Sequence, residues 1–210
     1  MPTQALLIRH GETDWNALGR WQGNAPVPLN EIGLAQARAL ATYLAAQPQR
    51  IDVIYSSPLT RARQSAQAIA DALAMPVRTD DRLREVDTGD WQGLTRVEAA
   101  AWDPERFAAY QADWYNVPIP NGESRRQLQV RARAAFDDIT ARHLGATIAI
   151  VSHGGTLGML FESLLGKIER PTLSNTSLTI LEQDAPGKPW TLVRVGWAPH
   201  LSEEPLGETW

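Results

Sequence analysis

The sequence of 210 residues contains no cysteine. This absence excludes disulfides, thiolate metal sites and the phosphatases and proteases that use a cysteine nucleophile. The net charge is −4, from 20 basic and 24 acidic residues, so the composition favours neither nucleic acid nor an anionic membrane as a partner. The longest early apolar run, residues 5–8, is too short for a signal-peptide core or a membrane span. We therefore expect a cytoplasmic protein with no nucleic-acid and no membrane partner.

Metal-ligand spacings are also missing. The sequence contains neither an H-x-H nor an H-E-x-x-H pattern among its four histidines, His10, His143, His153 and His200. It contains no Walker-type phosphate loop and no G-x-S-x-G elbow either. We expect no metal and no other cofactor.

Three short apolar runs, at 5–10, 51–57 and 147–155, each end in a polar or glycine cluster. They are apolar at nearly every position, which is typical of strands that are covered on both faces in a parallel sheet. Two further strands are predicted at 177–182 and 190–195, joined by a turn rich in Pro and Gly.

Helical patterns alternate with these runs. The spacing of apolar residues predicts helices over 31–46, 58–74 and 124–144, the second with Ser57 as its N-cap and Pro58 at its first position. Alternation of strands and helices predicts an α/β fold, a three-layer α/β/α sandwich with a mostly parallel central sheet.

The domain organisation is expected to be simple. The length suits a single domain over residues 1–210, with a short cap insertion at about 97–122 that is rich in Trp, Pro and acidic residues. The residues after 199 show no periodicity and are predicted to be loose. A homodimer is left open.

The predicted strand ends carry the chemistry. Arg9 and His10 follow the first strand, Arg61 lies shortly after the second, and His153 follows the third. Because ligands of open α/β sheets bind beyond the carboxyl ends of the strands, two His and two Arg are expected in one crevice. Guanidinium groups bind phosphate oxygens in pairs, and imidazoles attack or donate protons, so the set suits a phosphate.

Each residue also has an ordinary interpretation. An Arg–His pair can belong to a surface loop, a histidine before two glycines can belong to a turn, and Arg61 and Arg63 can lie on the solvated face of a helix, the interpretation we favour for Arg63. These interpretations would have to hold independently at three strand ends, so the phosphate site is favoured.

Four segments carry a family resemblance: LLIRHGETDWN, SSPLTRARQSA, LREVDTGDWQGLT and IVSHGGTLG. They resemble, in order, the signature segments of the histidine phosphatase superfamily, in its phosphoglycerate mutase-like branch. The resemblance implies metal-independent phosphoryl transfer through a phosphohistidine. It implies three catalytic residues, the nucleophile His10, the proton donor Glu85 and His153, which also clamps the phosphate, and further phosphate or substrate contacts from Arg9, Asn16, Gln22, Arg61 and the backbone N–H of Gly154.

Chemistry sets two conditions on such a site. An imidazole attacks phosphorus only through an unprotonated nitrogen, so the other ring nitrogen of His10 should donate to a fixed group, which we expect to be a backbone carbonyl. An alkoxide leaving group needs a proton, so the pKa of Glu85 is expected to be raised by burial and by the neighbouring phosphate. In its acidic loop, Glu85 could otherwise be a surface carboxylate.

Three functions compete: a phosphomonoester phosphatase for small phosphorylated metabolites, a phosphoglycerate mutase, and a non-catalytic phosphate-binding module. The last is weakest because the implied catalytic set is complete. A mutase has to hold a carboxylate, yet the predicted cap carries little positive charge. Arg125 and Arg126 could form a carboxylate-binding pair, but we interpret them as the solvated first turn of a helix. The phosphatase is therefore favoured. The many Trp residues are interpreted as packing, with a ring-bearing phosphate ester as the alternative.

Overall fold

The computed structural model describes residues 1–166 and 173–201. Within these ranges, six strands form a single sheet: β1 (Thr3–Arg9), β2 (Val53–Ser56), β3 (Val77–Thr79), β4 (Thr147–Ser152), β5 (Leu178–Gln183) and β6 (Thr191–Trp197). The α-helices of the same ranges are α1 (Asp14–Ala17), α2 (Glu31–Ala45), α3 (Thr60–Leu73), α4 (Arg96–Trp102), α5 (Pro104–Ala112), α6 (Arg125–Arg142) and α7 (Gly154–Leu165).

The strands of the sheet stand in the order β3-β2-β4-β1-β5-β6. The first four are mutually parallel, whereas β5 runs antiparallel to β1 and β6 antiparallel to β5. The predicted α/β fold with a mostly parallel sheet is confirmed.

Both faces of the sheet are covered by helices. Successive side chains of β1 point to opposite faces, so Leu6 and Ile8 join one apolar cluster while Ala5 and Leu7 join the other. The first cluster includes buried side chains of α2 and α3, and the second includes those of α6 and α7. Burial on both sides explains why the strand reads as continuously apolar.

The segment predicted as a cap contains α4 and α5. These helices pack around the fully buried Trp91 through Phe107 and Tyr110, and Ile119 closes the same cluster. The division of the chain into one domain and a cap at about 97–122 remains a prediction.

Several predicted elements differ from the observed ones. The second helix begins at Thr60 after Leu59, so the predicted N-cap role of Ser57 is wrong. The predicted strand 147–155 stops at Ser152, and α7 starts at Gly154, where two glycines obscure the helical pattern in the sequence. The short β3 and α1 were not predicted.

The region after 199 is not uniformly loose. Pro199–Leu201 forms a 3₁₀ turn, in which the ring of His200 lies 6.2 Å from that of Tyr43. The prediction is therefore wrong for His200 and Leu201, and residues 202–210 lie outside the described part of the chain. No helix within the described ranges is long and apolar enough to cross a membrane.

Candidate active site

Three parallel strands deliver their carboxyl ends to one edge of the sheet. Arg9 in β1 pairs in register with Ser152 in β4, and Ser56 in β2 pairs with Val151 of the same strand. The residues that follow these strands therefore stand side by side. The rings of His10 and His153 have centroids 5.1 Å apart, so the predicted crevice brings the two histidines together.

The ring of His10 is fixed from both sides. Its Nδ1 donates to the carbonyl of Gly11 at 2.7 Å, as predicted, and its Nε2 accepts from Nε of Arg61 at 3.3 Å. This tautomer leaves the lone pair on Nε2. Burial, His153, Arg61 and Arg9 lower the pKa of His10 well below its ordinary value, against the opposing hydrogen bond to Gly11. The imidazole is consequently neutral at physiological pH.

Arg61 is a buried cation in the first turn of α3, only 1% exposed. Its two terminal nitrogens donate to the carbonyls of Ala25 and Gly23 at 3.0 and 2.9 Å. Burial lowers the pKa of Arg61 to about 10, with a smaller raising effect from Glu85 and a lowering effect from Arg9. The guanidinium therefore remains charged at pH 7 and rigidly placed.

Arg9 provides a second cation from the end of β1. One terminal nitrogen donates to the carbonyl of Leu173 at 2.6 Å. Its buried Nε has no hydrogen-bond partner among the described residues and faces the backbone of Gly154. Arg9 and Arg61 thus flank His10 with donors fixed in direction.

His153 stands directly after β4 and is fully buried. Its Nε2 is hydrogen-bonded to Oγ of Ser57 at 2.8 Å, whereas its Nδ1 has no partner within the described ranges. Burial, Arg61, Arg131 and Arg9 lower the pKa of His153 well below its ordinary value. Ser57 Oγ also accepts from the backbone N–H of Leu59 at 3.3 Å, before α3 begins at Thr60.

Glu85 approaches the same crevice from the loop after β3. Its carboxylate accepts from the backbone N–H groups of Val86 and Gly155 at 2.9 Å each. Burial alone raises the pKa of Glu85, but Arg125, the two N–H groups and Arg61 together lower it below its ordinary value. The expectation of a raised pKa is therefore wrong for the free protein, because burial is outweighed by these charges and donors.

The remaining predicted contacts line the same pocket of about 240 Å³, which contains His10 and Glu85. Asn16 takes part in the capping box of α1, and its Oδ1 accepts from Thr13. Gln22 is buried with its Oε1 unpartnered among the described residues. Gly154 lies at the first position of α7. The structure thus brings the whole predicted set together: Arg9, His10, Asn16, Gln22, Arg61, Glu85 and Gly154 line this pocket, with His153 beside His10.

Sequence reasoning missed three residues of the site. Asn175 donates to the carbonyl of His10 at 2.9 Å. Arg131 donates to the carbonyls of Arg82, Arg84 and Glu85 at 2.6–2.8 Å and so holds the loop that carries Glu85. Arg125 was interpreted as solvated helix surface, and this is wrong.

Arg125 lines both the phosphate-sized pocket and a larger neighbouring cavity. Its Nη1 lies 2.7 Å from the point where a Cβ on Gly155 would stand, and Oε1 of Glu85 lies 2.6 Å from the same point. Only glycine at position 155 allows the two side chains to approach in this way.

The larger cavity has a volume of about 810 Å³ and shares Arg9, Arg125 and Gly154 with the phosphate pocket. Trp21, Tyr110 and Trp114 form part of its wall, whereas Trp91 packs inside the cap cluster. Trp21 and Trp114 also pack against the cap cluster, so packing is confirmed for them as well, and the ring-bearing phosphate ester stays a prediction.

The arrangement combines a neutral imidazole, two fixed guanidiniums and a carboxylate around one small pocket. Such a set can bind a tetrahedral oxyanion, present a nucleophilic nitrogen to it and exchange a proton with its ester oxygen. Within the described residues, no cluster of three or more His, Asp or Glu side chains is arranged to hold a metal ion.

Comparison with known proteins agrees with this geometry. The profile of the histidine phosphatase superfamily (branch 1) matches residues 5–198. The chain belongs to the histidine phosphatase superfamily.

The relatives include proteins named as phosphoglycerate mutase-like and proteins named as phosphoserine phosphatases. The chain is 38% identical over 205 residues to phosphoglycerate mutase-like protein 4 of Arabidopsis thaliana, covering 95% of this chain and 87% of the relative. It is 36% identical over 182 residues to a metal-independent phosphoserine phosphatase of the same plant, covering 85% of this chain and 76% of the relative. Among solved structures, Bacillus stearothermophilus YhfR superposes with a TM-score of 0.85 at 32% identity, over 95% of this chain and 100% of that chain.

Proposed function

We propose that this protein is a phosphomonoester phosphatase that acts on small phosphorylated metabolites through a phosphohistidine at His10. The observation that carries the proposal is the tautomer of His10. Nδ1 is bound to the Gly11 carbonyl, so Nε2 holds the lone pair, and it faces the pocket between Arg9 and Arg61. A cytoplasmic location and metal independence are part of the proposal.

In the first step, Nε2 of His10 attacks phosphorus and the bond from phosphorus to the ester oxygen breaks. Negative charge spreads over the three equatorial oxygens, where Arg9, Arg61, His153 and the Gly154 N–H supply donors. Glu85 gives its proton to the leaving oxygen. In the second step, Glu85 takes a proton from water, whose oxygen attacks phosphorus and releases His10 and inorganic phosphate.

Glu85 has to be protonated before the first step. Its pKa is lowered in the free protein by Arg125, backbone donors and Arg61, against the raising effect of burial. A bound phosphate brings negative charge that faces Arg9 and Arg61 and offsets their field at Glu85. Substrate binding is therefore expected to raise the pKa of Glu85 towards the value that a proton donor needs.

The alternative is a phosphoglycerate mutase, which returns the phosphoryl group to a bound acid. Arg125 and Arg96 on the wall of the larger cavity favour this candidate, because they could hold a carboxylate. A mutase also has to protect its phosphohistidine from water. The larger cavity of about 810 Å³ shares Arg9, Arg125 and Gly154 with the phosphate pocket and gives water access to it, and we prefer the phosphatase for this reason.

A trapping experiment tests the proposal. The protein is mixed with a radiolabelled phosphomonoester and quenched, and acid-labile, base-stable label is expected on wild type. His10→Ala should lose both label and turnover. His143→Ala should retain both, because His143 is hydrogen-bonded to Tyr55 and does not line the phosphate pocket. Label on the His10→Ala protein would overturn the assignment.

The two activities are separated by following products. With 3-phosphoglycerate as substrate, inorganic phosphate should accumulate and 2-phosphoglycerate should not. If 2-phosphoglycerate forms faster than phosphate is released, the proposed phosphatase activity is wrong and the protein is a mutase.

A further inference from the structure

Arg125 is placed where an ordinary surface arginine would not be. It is the first residue of α6, and its capping box is formed by Ser124 and Gln127, so the backbone does not require a particular side chain at 125. A cation in the first turn opposes the helix dipole, and α6 has two cations and no acid there. The charge of Arg125 is therefore unfavourable for α6 itself. A reason for an arginine at this position has to come from the residues around its side chain.

The neighbours of Arg125 are those of the active site. The side chain is half-buried and lines the boundary between the phosphate pocket and the larger cavity. Its Nη1 and Oε1 of Glu85 both stand within 2.7 Å of the position that a Cβ on Gly155 would occupy. Yet Arg125 forms no ion pair and donates no side-chain hydrogen bond to any residue in the described part of the chain. Its planar fork of donors is therefore not used within that part of the chain, at the wall of the cavity.

The cavity adds a second cation and an apolar wall. Arg96 lies on the same cavity and stacks over the ring of Phe107 at 5.4 Å, which holds its charge near the wall. Trp21 and Met159 contribute apolar surface to the same cavity. A substrate held by phosphorus next to His10 extends into this space.

From this placement, and building on the proposed phosphatase, we propose that Arg125 is a specificity residue that binds a carboxylate of the substrate. The preferred substrates would then be phosphomonoesters that carry a carboxylate a few bonds from the ester oxygen. Arg125 would receive the carboxylate through two parallel N–H···O bonds, and Arg96 would add positive potential to the same cavity.

The proposal has a consequence for the proton donor. Among the groups that lower the pKa of Glu85 against the effect of burial, Arg125 has the largest effect. A carboxylate bound to Arg125 neutralises that charge and leaves burial to raise the pKa of Glu85. Binding of a substrate that carries a carboxylate would therefore prepare Glu85 to donate its proton. The preference for such substrates would then appear in kcat as well as in KM.

Two esters that differ at one carbon provide the test. 3-Phosphoglycerate ends in a carboxylate, and glycerol 3-phosphate ends in a hydroxymethyl group at the same position. We expect kcat/KM of wild type to favour 3-phosphoglycerate, and the ratio of the two values to fall about 10- to 100-fold in Arg125→Gln, because a hydrogen bond to a charged group is lost. Arg125→Lys should recover part of the ratio, since it keeps the charge and loses the fork.

Arg126→Gln is the matched control, because it removes the same charge from the next residue of the same helix, where the side chain is exposed. Its ratio should equal that of wild type. An unchanged ratio in Arg125→Gln, or an equal fall in Arg126→Gln, would overturn the proposal. Thermal unfolding of each variant establishes that it is folded.

Binding measurements separate this proposal from the proposed function. If wild type releases phosphate from neither ester, the phosphatase assignment fails. The dissociation constants of both esters, measured by calorimetry for wild type and Arg125→Gln, still test Arg125. A selective loss of 3-phosphoglycerate affinity in the variant supports the carboxylate site, and a parallel change for both esters rejects it.

Discussion

Nε of Arg61 donates a hydrogen bond to Nε2 of His10 over 3.3 Å, so a buried cation faces the lone pair of a buried neutral imidazole. A protonated His10 would repel Arg61 and lose this bond. Together with burial and His153, Arg61 therefore keeps the ring deprotonated, and its hydrogen bond orients the ring before any substrate arrives. We expect the same guanidinium to exchange the imidazole for an oxygen of the bound phosphate, which would free Nε2 for attack.

Arg61→Lys tests this arrangement. An ammonium cannot donate to His10 and to the Gly23 and Ala25 carbonyls in one plane, so we expect kcat on an alkyl phosphate to fall about 10²- to 10³-fold. Arg63→Lys, on the exposed side of the same helix, should match wild type. Wild-type kinetics for Arg61→Lys would mean that Arg61 has only a packing role.

Buried histidines make stability dependent on pH. Burial lowers the pKa of His200 to about 4, and the pKa values of His10 and His153 lie well below their ordinary value. Below about pH 6.5 the unfolded chain binds protons that the folded protein does not, so stability falls as pH decreases from 6.5 towards 4 and is insensitive to these groups above 6.5.

Urea unfolding at several pH values measures this effect. The free energy of unfolding of wild type should be lower at about pH 5 than at about pH 7, and His200→Gln should show a smaller difference, because one of the three groups no longer titrates. An identical difference in wild type and His200→Gln would show that His200 is protonated equally in both states.

Treatment with a chelator should leave activity unchanged. Arg9 and Arg61 already provide two fixed positive charges at the phosphate pocket, which is the electrostatic contribution that a metal ion makes in other phosphoryl-transfer sites. Phosphate release is measured before and after EDTA and dialysis. A large loss that one divalent ion restores would require a different mechanism.

Much of the site could be predicted because it depends on strand ends. The apolar runs identify β1, β2 and β4, and the residues directly after them are His10, Ser57 and His153. Parallel pairing then brings these positions to one edge without further information. The order of residues along the chain was therefore sufficient to predict that these three residues lie close together.

Arg125 and Arg131 could not be predicted in the same way. Their surroundings come from distant segments. Arg131 bonds to backbone carbonyls 46–49 residues away, and the side chains of Arg125 and Glu85 both approach Gly155, which belongs to a third segment, α7. In a helix with many arginines, their spacing does not distinguish them from exposed neighbours such as Arg126. Long-range packing decides which arginines enter the site.

Arg131 is expected to be a positioning residue for Glu85. It pairs with Glu123 at 2.7 Å and also donates to the Arg82, Arg84 and Glu85 carbonyls. Arg131→Gln should lower the free energy of unfolding by about 2–3 kcal/mol, because a partly buried carboxylate and several carbonyls lose their donors. Turnover of alkyl phosphates should decrease as well, and Arg126→Gln should change stability by no more than about 0.5 kcal/mol. Equal stabilities of the two variants would reject this role.

Glu85→Gln distinguishes proton donation from simple placement of charge. If Glu85 protonates the leaving oxygen, the variant should lose most activity on alkyl phosphates, whose leaving groups need the proton. The phosphorylation step with p-nitrophenyl phosphate should be affected much less, because p-nitrophenolate leaves without help. Hydrolysis of the phosphohistidine should still be slow, so label on His10 should accumulate with the activated ester.

The comparison requires single-turnover rates of phosphorylation, because steady-state rates combine the two steps. Asp87→Asn is the matched control: the Asp87 carboxylate accepts from the Gly89 N–H, and an amide oxygen can accept in the same way. An equal loss for both esters in the first step would mean that Glu85 only orients its loop through the bonds to Val86 and Gly155. In that case the rates of Asp87→Asn with the same two esters decide whether Asp87 is the acid instead.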